Sequence, residues 1–206
     1  MSLLKKNKVS SPSFWNELYF NNKDVWNLNT PTPIFVNWAK QLPKNKKLNI
    51  CIPGCGKGQD ALYLSSQGHN VYAVDFAENA INYLFNKAKA DGISLNIIKS
   101  DFFNLDLKFN NYFDVILEYT FYCAIDPSKR NDYVSTCYDL LNNDGKFIGI
   151  LLPLIKKNNE EPPFQISLNE IKKLFSKKFK INKIEFSEHS IDARMNNEVF
   201  VDFTKK

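Results

Sequence analysis

From Leu48 onward, two spacings of apolar residues take turns along the chain. Leu48–Pro53 is a short apolar run closed by a glycine turn. Over Asp60–Ser66 the apolar positions Ala61, Leu62 and Leu64 have helical spacing, and Gly68 supplies a stop. Val71–Val74 reads as a strand ending at Asp75. Glu78–Ala90 sets Ile81, Leu84, Phe85 and Ala88 three or four apart, the spacing of one buried helix face. Leu95–Ile98 predicts a third strand. Phe113–Leu117 predicts a fourth, with so few polar positions that both its faces must be covered. Asp126-Pro127-Ser128 opens a helix through Leu141, with Ser128 as its N-cap. Asn143-Asp144-Gly145 is a turn, and Lys146–Leu152 a fifth strand. Ser167-Leu168-Asn169-Glu170 has the form of a capping box, starting a helix to about Lys178. Ile181–Phe186 and Glu198–Phe203 are two late strands with some alternation.

Alternating strands and helices over this length predict an α/β domain with a doubly wound, mostly parallel sheet of seven strands, covered on both faces. No helix separates the last two strands, so an antiparallel hairpin is expected to finish the sheet. The chain reads as one domain, an N-terminal segment at 1–46 and an alternating core at 47–206. Residues 12–42 hold all three tryptophans, Trp15, Trp26 and Trp38. The only sizeable loop is Ile155–Gln165, with Pro162-Pro163 inside it.

Composition changes this picture in two ways. With 44% hydrophobic residues in 206, the chain can bury a core unaided, which excludes a disordered tail. The formal charge of +5 first suggests nucleic acid. Yet only Arg130 and Arg194 among 27 basic residues are arginine, the residue suited to bidentate phosphate contacts. A chain this rich in Lys, with 26 Asn, is also what an AT-rich genome encodes. The excess charge sits in residues 1–47, which carry eight Lys against Glu17 and Asp24. Such a surface meets an anionic partner or is simply solvated. Cys51, Cys55, Cys123 and Cys137 form no C-x-x-C pair, and only His69 and His189 could join them, so no metal site is expected. Unpatterned cysteines, no apolar run at Met1–Lys6 and no long apolar stretch predict a cytoplasmic protein without a membrane span.

Candidate chemistry gathers at strand ends. Pro53-Gly54-Cys55-Gly56-Lys57-Gly58-Gln59-Asp60 runs from the first strand into the first core helix. Glycine permits close approach of backbone to ligand, and a helix N-terminus offers unpaired N–H groups. A dinucleotide fingerprint requires glycine at position 59, where Gln59 stands, and no phosphate loop of the G-x-x-x-x-G-K-[ST] type exists. Asp75, 17 residues after Gly58, ends the second strand, where a carboxylate can accept both hydrogens of a ribose diol. Asp101-Phe102 follows the third strand: an acceptor for an exocyclic amine and a ring for an adenine face. Glu118-Tyr119 ends the fourth, at the reaction crevice of such sheets. Singly, each has a bland alternative, a structural turn for the glycines and a cap for either Asp. Jointly, they stand in the order a small adenosine ligand needs.

At these residues the chain resembles the class I S-adenosylmethionine-dependent methyltransferases, and more narrowly the thiopurine methyltransferase superfamily with its thiol/halide branch. The matching stretches are Ile52–Gly56, Asp75-Phe76 with Glu78–Ala80, Phe113-Asp114 through Glu118–Pro127, Leu140–Gly145 and Pro162–Phe164. Trp15, Tyr19, Trp26 and Thr32-Pro33 extend the resemblance to nearly the whole chain. It implies a Rossmann-like methyltransferase fold with an N-terminal helical lid, S-adenosyl-L-methionine as cofactor and S-adenosyl-L-homocysteine as product. It also implies a small-molecule methyl acceptor; no nucleic acid or membrane partner is expected, and the protein is expected to be a monomer. Gly54, Cys55, Gly56 and Gly58 would lie along the methionine part, Asp75 on the ribose, and Asp101 and Phe102 about the adenine. Phe76 and Glu118 complete the cofactor contacts, and Trp15, Tyr19 and Trp26 form the lid. Tyr119 stands where the thiopurine branch keeps an arginine, beside the donor methyl, as the candidate catalytic residue. That departure favours a thiol, hydrosulfide or halide acceptor. Tyr19 replaces a tryptophan common in the thiol/halide branch, so the lid pocket is expected to differ in size. A cofactor-binding protein without turnover and a dinucleotide-dependent oxidoreductase are the competing classes.

Overall fold

The computed structural model describes residues 7–43, 45–156 and 160–206. Helices α1 (Pro12–Phe20) and α2 (Pro33–Lys40) precede the sheet, each with proline in its first turn. There the missing N–H costs nothing and the fixed φ suits a helix start. The core then runs β1 (Asn49–Pro53), α3 (Gln59–Ser66), β2 (Asn70–Asp75), α4 (Glu78–Asp91), β3 (Asn96–Lys99) and β4 (Phe113–Tyr119). It continues with α5 (Arg130–Leu140), β5 (Leu141–Leu151), α6 (Leu168–Phe175), β6 (Phe179–Glu185) and β7 (Val199–Lys205). The N-terminal stretch Met1–Lys6, Lys44 and the middle of the Ile155–Gln165 loop lie outside the described residues.

The seven strands form one sheet in the order β3-β2-β1-β4-β5-β7-β6. β1 pairs in parallel with β2 and β4, β2 with β3, and β4 with β5. The late hairpin is antiparallel as expected, but it does not simply extend the edge. β7 inserts between β5 and β6 and runs against both. Chain order reverses direction at β1, with β2 on one side and β4 on the other. A crevice therefore opens beyond the carboxyl ends of these strands.

Local detail departs from the sequence reading in several places. On α4 the buried residues are Ala80, Ile81, Leu84 and Ala88, whereas Phe85 is 57% exposed. Phe85 lies about 100° round the helix from Leu84, just past the stripe that reaches the sheet. The helix after β4 is capped by Asp126, whose Oδ1 accepts from the Ser128 N–H, and not by Ser128; a 3-10 turn at Pro127–Lys129 leads into α5. The turn at Asn143–Gly145 lies inside the long β5. Leu141 pairs with Phe113 and Lys146 already with Val115, so the residues between them bulge, and Asp144 takes φ 62°. Ser167 does cap α6, accepting from the Glu170 N–H. The Glu170 carboxylate does not return to the cap; it takes the Arg130 guanidinium at 2.8 and 3.0 Å.

One large core holds the sheet and its helices, and it includes Ile34 and Phe35 of α2. A second, small cluster joins Tyr19 to Ala77 and Ala80, with Trp15, Trp26 and Phe76 packed on it. The change in packing therefore falls between Trp26 and Ile34. Among the described residues no helix is long and apolar enough to cross a membrane. No group of three or more metal-ligating side chains converges there either.

Candidate active site

The glycine turn after β1 is held in a shape that only glycine adopts freely. Gly54, Gly56 and Gly58 have φ of 56°, 55° and 73°. Space enforces the same choice. A Cβ on Gly54 would lie 2.2 Å from Phe121 Cδ2, one on Gly56 2.8 Å from the Tyr19 hydroxyl, and one on Gly58 2.4 Å from Leu84 Cδ1. The turn is stitched to β2 by the Cys55 N–H on the Val74 carbonyl and closed by the Gly58 N–H on the Cys55 carbonyl.

Asp75, nearly buried at the end of β2, holds this turn in place. Its Oδ2 accepts from the Gly56 N–H at 2.9 Å and its Oδ1 from the Ala77 N–H at 2.8 Å. Burial raises its pKa, against the pull of those N–H donors. A carboxylate has about four lone-pair sites, so acceptor capacity remains on both oxygens for a diol. Cys55 sits in the turn with its thiol pushed up by burial and by the nearby Asp75 charge, hence protonated and weakly nucleophilic.

Glu118 has a different place from the one its strand-end position suggested. It is fully buried. Its Oε1 accepts from the Phe121 and Tyr122 N–H groups at 2.8 and 2.7 Å, and its Oε2 from the Tyr133 hydroxyl. Burial pushes its carboxyl up to about 7, against these three donors. Glu118 thus shapes the 119–122 turn from behind instead of facing the crevice. That turn carries Phe121 onto Gly54, with Thr120 at φ 61°.

Asp101 and Phe102 are also engaged locally. Asp101 Oδ1 caps a 3-10 turn through the Phe103 N–H at 3.1 Å. Phe102 is 2% exposed, walled in by Phe121 and Tyr133 at ring separations of 5.9 and 5.5 Å. Its neighbour Phe103 is the half-buried ring at this strand end.

Tyr119, half-buried, faces the crevice beside Gly54, Cys55, Thr120 and Trp26. Above the floor lie the N-terminal aromatics. Trp26 meets Trp15 and Tyr19 edge to face at 5.5 and 5.6 Å. The Trp15 indole N–H donates to the Val9 carbonyl at 2.7 Å. An open cleft of about 60 Å³ lies between this segment and the glycine turn. A larger open groove of about 940 Å³ follows the β3 edge, lined by Tyr72, Ile97, Phe109 and Tyr112, and no residue of the glycine turn reaches it.

Arg194, not singled out in the sequence, belongs to this site. It lies in the connection between β6 and β7, with its guanidinium 5.0 Å above the Tyr119 ring centroid. Its Nη2 donates to the Trp26 carbonyl at 3.1 Å, and its Nη1 is buried without a partner. Burial lowers its pKa, opposed by the nearby Glu198. Scarcity of arginine was the one signal that could have found it.

A mostly parallel sheet ending in an antiparallel strand, with a glycine turn and an acid at consecutive strand ends, defines the class: this is an S-adenosylmethionine-dependent methyltransferase. Its fold is shared by 1,6-didemethyltoxoflavin-N1-methyltransferase of Burkholderia thailandensis, solved with 1,6-didemethyltoxoflavin and S-adenosylhomocysteine (TM-score 0.73, 18% identity, 95% of this chain and 86% of that one). The family model for thiopurine S-methyltransferase matches residues 10–204, and the chain belongs to that family. Similar relatives are thiocyanate methyltransferase 1 of Brassica oleracea, 29% identical over 192 residues (89% of this chain, 81% of the relative), and thiopurine S-methyltransferase of Acinetobacter baylyi, 24% identical over 200 residues (89% and 91%).

Proposed function

We propose that the methyl acceptor is a small, soft, anionic sulfur nucleophile, a thiolate, hydrosulfide or thiocyanate-like species. The observation that carries this is Arg194, a cation stacked on the crevice residue Tyr119 with a buried N–H that has no hydrogen-bond partner, although Glu198 lies near enough to offset part of its charge. A buried guanidinium donor without a partner is costly, and an anion relieves it. The thiocyanate and thiopurine relatives agree with this acceptor chemistry.

The residues fit the cofactor. The backbone of Gly54, Cys55, Gly56 and Gly58 would lie along its methionine part, Asp75 keeps acceptor capacity for its ribose, and Asp101 and Phe103 would stand nearest the adenine end. Bound there, the cofactor supplies an activated methyl on a sulfonium. The protein's share is to hold the nucleophile in line, about 3–3.5 Å from the methyl carbon, and to exclude water. Arg194 holds the anion, and the Tyr119 hydroxyl orients it. Trp15, Tyr19 and Trp26 close over the site as a lid, their faces favouring a cation. With S-adenosylmethionine bound, transfer of its methyl to the held anion would release S-adenosylhomocysteine and a neutral product: a thioether from a thiolate, methanethiol from hydrosulfide, methyl thiocyanate from thiocyanate. No general base is required, in keeping with two histidines that lie elsewhere. We read the protein as a cytoplasmic monomer acting on small molecules.

The test is headspace gas chromatography of methylated products with thiocyanate, hydrosulfide, iodide and thiophenol as acceptors. Arg194→Met should lower kcat/KM for thiocyanate by more than about tenfold (about 1.4 kcal/mol). Tyr119→Phe should cost less. No methylated product from any of the four acceptors, or an Arg194→Met enzyme of unchanged kcat/KM, would sink the proposal.

A further inference from the structure

Lys57, between the last two glycines of the turn, reaches to the N-terminal segment. Its Nζ lies 2.8 Å from Asp24 Oδ2, with the two side chains 16% and 7% exposed. It also lies 5.2 Å from the Tyr83 ring centroid of α4. Asp24 also opens the turn that carries Trp26. The Asn27 N–H donates to the Asp24 carbonyl at 2.9 Å, and Asn27 Nδ2 to Asp24 Oδ2 at 3.1 Å. One carboxylate therefore fixes both the shape of the Trp26 turn and its position over the glycine turn.

A largely buried ion pair is a poor source of stability, because removing both charges from water offsets much of their attraction. Its effect is on geometry: the pair forms only when the Trp26 turn is seated, and breaking it leaves a buried charge alone. We propose that the Lys57–Asp24 pair is a latch that seats the Trp26 turn over the glycine turn, and that Lys57 and Asp24 are positioning residues which retain the bound cofactor beneath Trp26. This rests on reading the N-terminal aromatics as a lid. Seating favours the closed state, and whatever binds better beneath a closed lid is held more tightly by the same factor.

The test uses the full chain, with S-adenosylhomocysteine titrated calorimetrically and S-adenosylmethionine turnover measured with thiocyanate. Asp24→Asn keeps an acceptor for Asn27 and removes only the charge. We expect it to raise the S-adenosylhomocysteine Kd about tenfold and KM to match, with kcat falling less than about threefold. Lys57→Met should do the same, and Lys57→Arg should recover most of the loss. With ligand saturating, amide exchange over residues 14–28 should quicken in Asp24→Asn while that of α4 stays unchanged. A variant that binds as tightly as the parent, or more tightly, overturns the latch. Equal quickening in α4 and the N-terminal segment also overturns it, because a structural defect would act on both. A parent chain that binds no S-adenosylhomocysteine would instead overturn the cofactor reading itself.

Discussion

The floor of the crevice and the segment that covers it are built on opposite principles. The floor is part of the main core: Ile52 and Leu117 pack in it, Glu118 is sealed beneath it, and a methyl group on Gly54 would clash with Phe121 from Cδ2 back to Cβ. The N-terminal aromatics rest on a separate cluster whose buried members are Tyr19, Ala77 and Ala80. The rest of their attachment is polar. Asn16 Oδ1 accepts from the Asn79 N–H at 2.9 Å, Asp24 pairs with Lys57, and the Trp26 carbonyl takes Arg194. At the end of the segment, Thr32 donates twice to Asp60, through its N–H at 2.7 Å and its hydroxyl at 2.9 Å. A close-packed apolar interface is rigid and fails as a whole, whereas a few polar ties break and re-form against water. Precision is thus placed in the floor and movement in the cover.

That contrast can be broken most severely at Gly54. Gly54→Ala forces both a positive φ and a clash with Phe121, and should destabilise the fold by about 2–5 kcal/mol. Urea unfolding with an unchanged midpoint would mean the floor is more plastic than its packing implies.

Glu118 gives a pH-dependent counterpart. Its folded pKa of about 7 lies above the ordinary 4.5, so the folded state binds its proton more tightly than the unfolded chain. Its contribution is most favourable below about pH 4.5, is lost as pH rises to 7, and then levels off. Over that window the parent should lose up to about 3 kcal/mol relative to Glu118→Gln, read from urea unfolding at each pH. Parallel pH profiles for the two proteins would remove Glu118 as a titrating group.

The smallest effects separate binding from stability. Asp75→Ala, in the floor, should raise the S-adenosylhomocysteine Kd at least about tenfold (about 1.4 kcal/mol) and also lower the thermal midpoint, since Gly56 and Ala77 lose their acceptor. Trp26→Ala, in the cover, should raise the Kd by about threefold to tenfold while the midpoint barely moves. Equal midpoint shifts in the two variants would erase the distinction between floor and cover.

Much of the floor was legible in the sequence because its signals are local. Apolar periodicity marks strands and helices, and glycine spacing marks a turn whatever surrounds it. The Asp75 position follows from the length of β2. The same local rules misplaced Phe85, which satisfies helical spacing yet misses the sheet. They also misread Glu118 and Phe102, whose strand-end positions are right but whose side chains turn inward. Which way a side chain points depends on what the opposite element offers, and Tyr133 and Phe121 offer it only after folding.

By itself, then, the sequence determined the order of elements, the mostly parallel sheet with its late hairpin, the glycine turn and the family resemblance. Each follows from spacing and residue type within a few turns of chain. The tertiary structure alone decided that Arg194 stacks on Tyr119 and that Lys57 meets Asp24. It alone decided that Glu118 is consumed by the turn it precedes. Those pairings join residues brought together only when the sheet closes, and no local pattern encodes a contact whose energy exists only between packed elements.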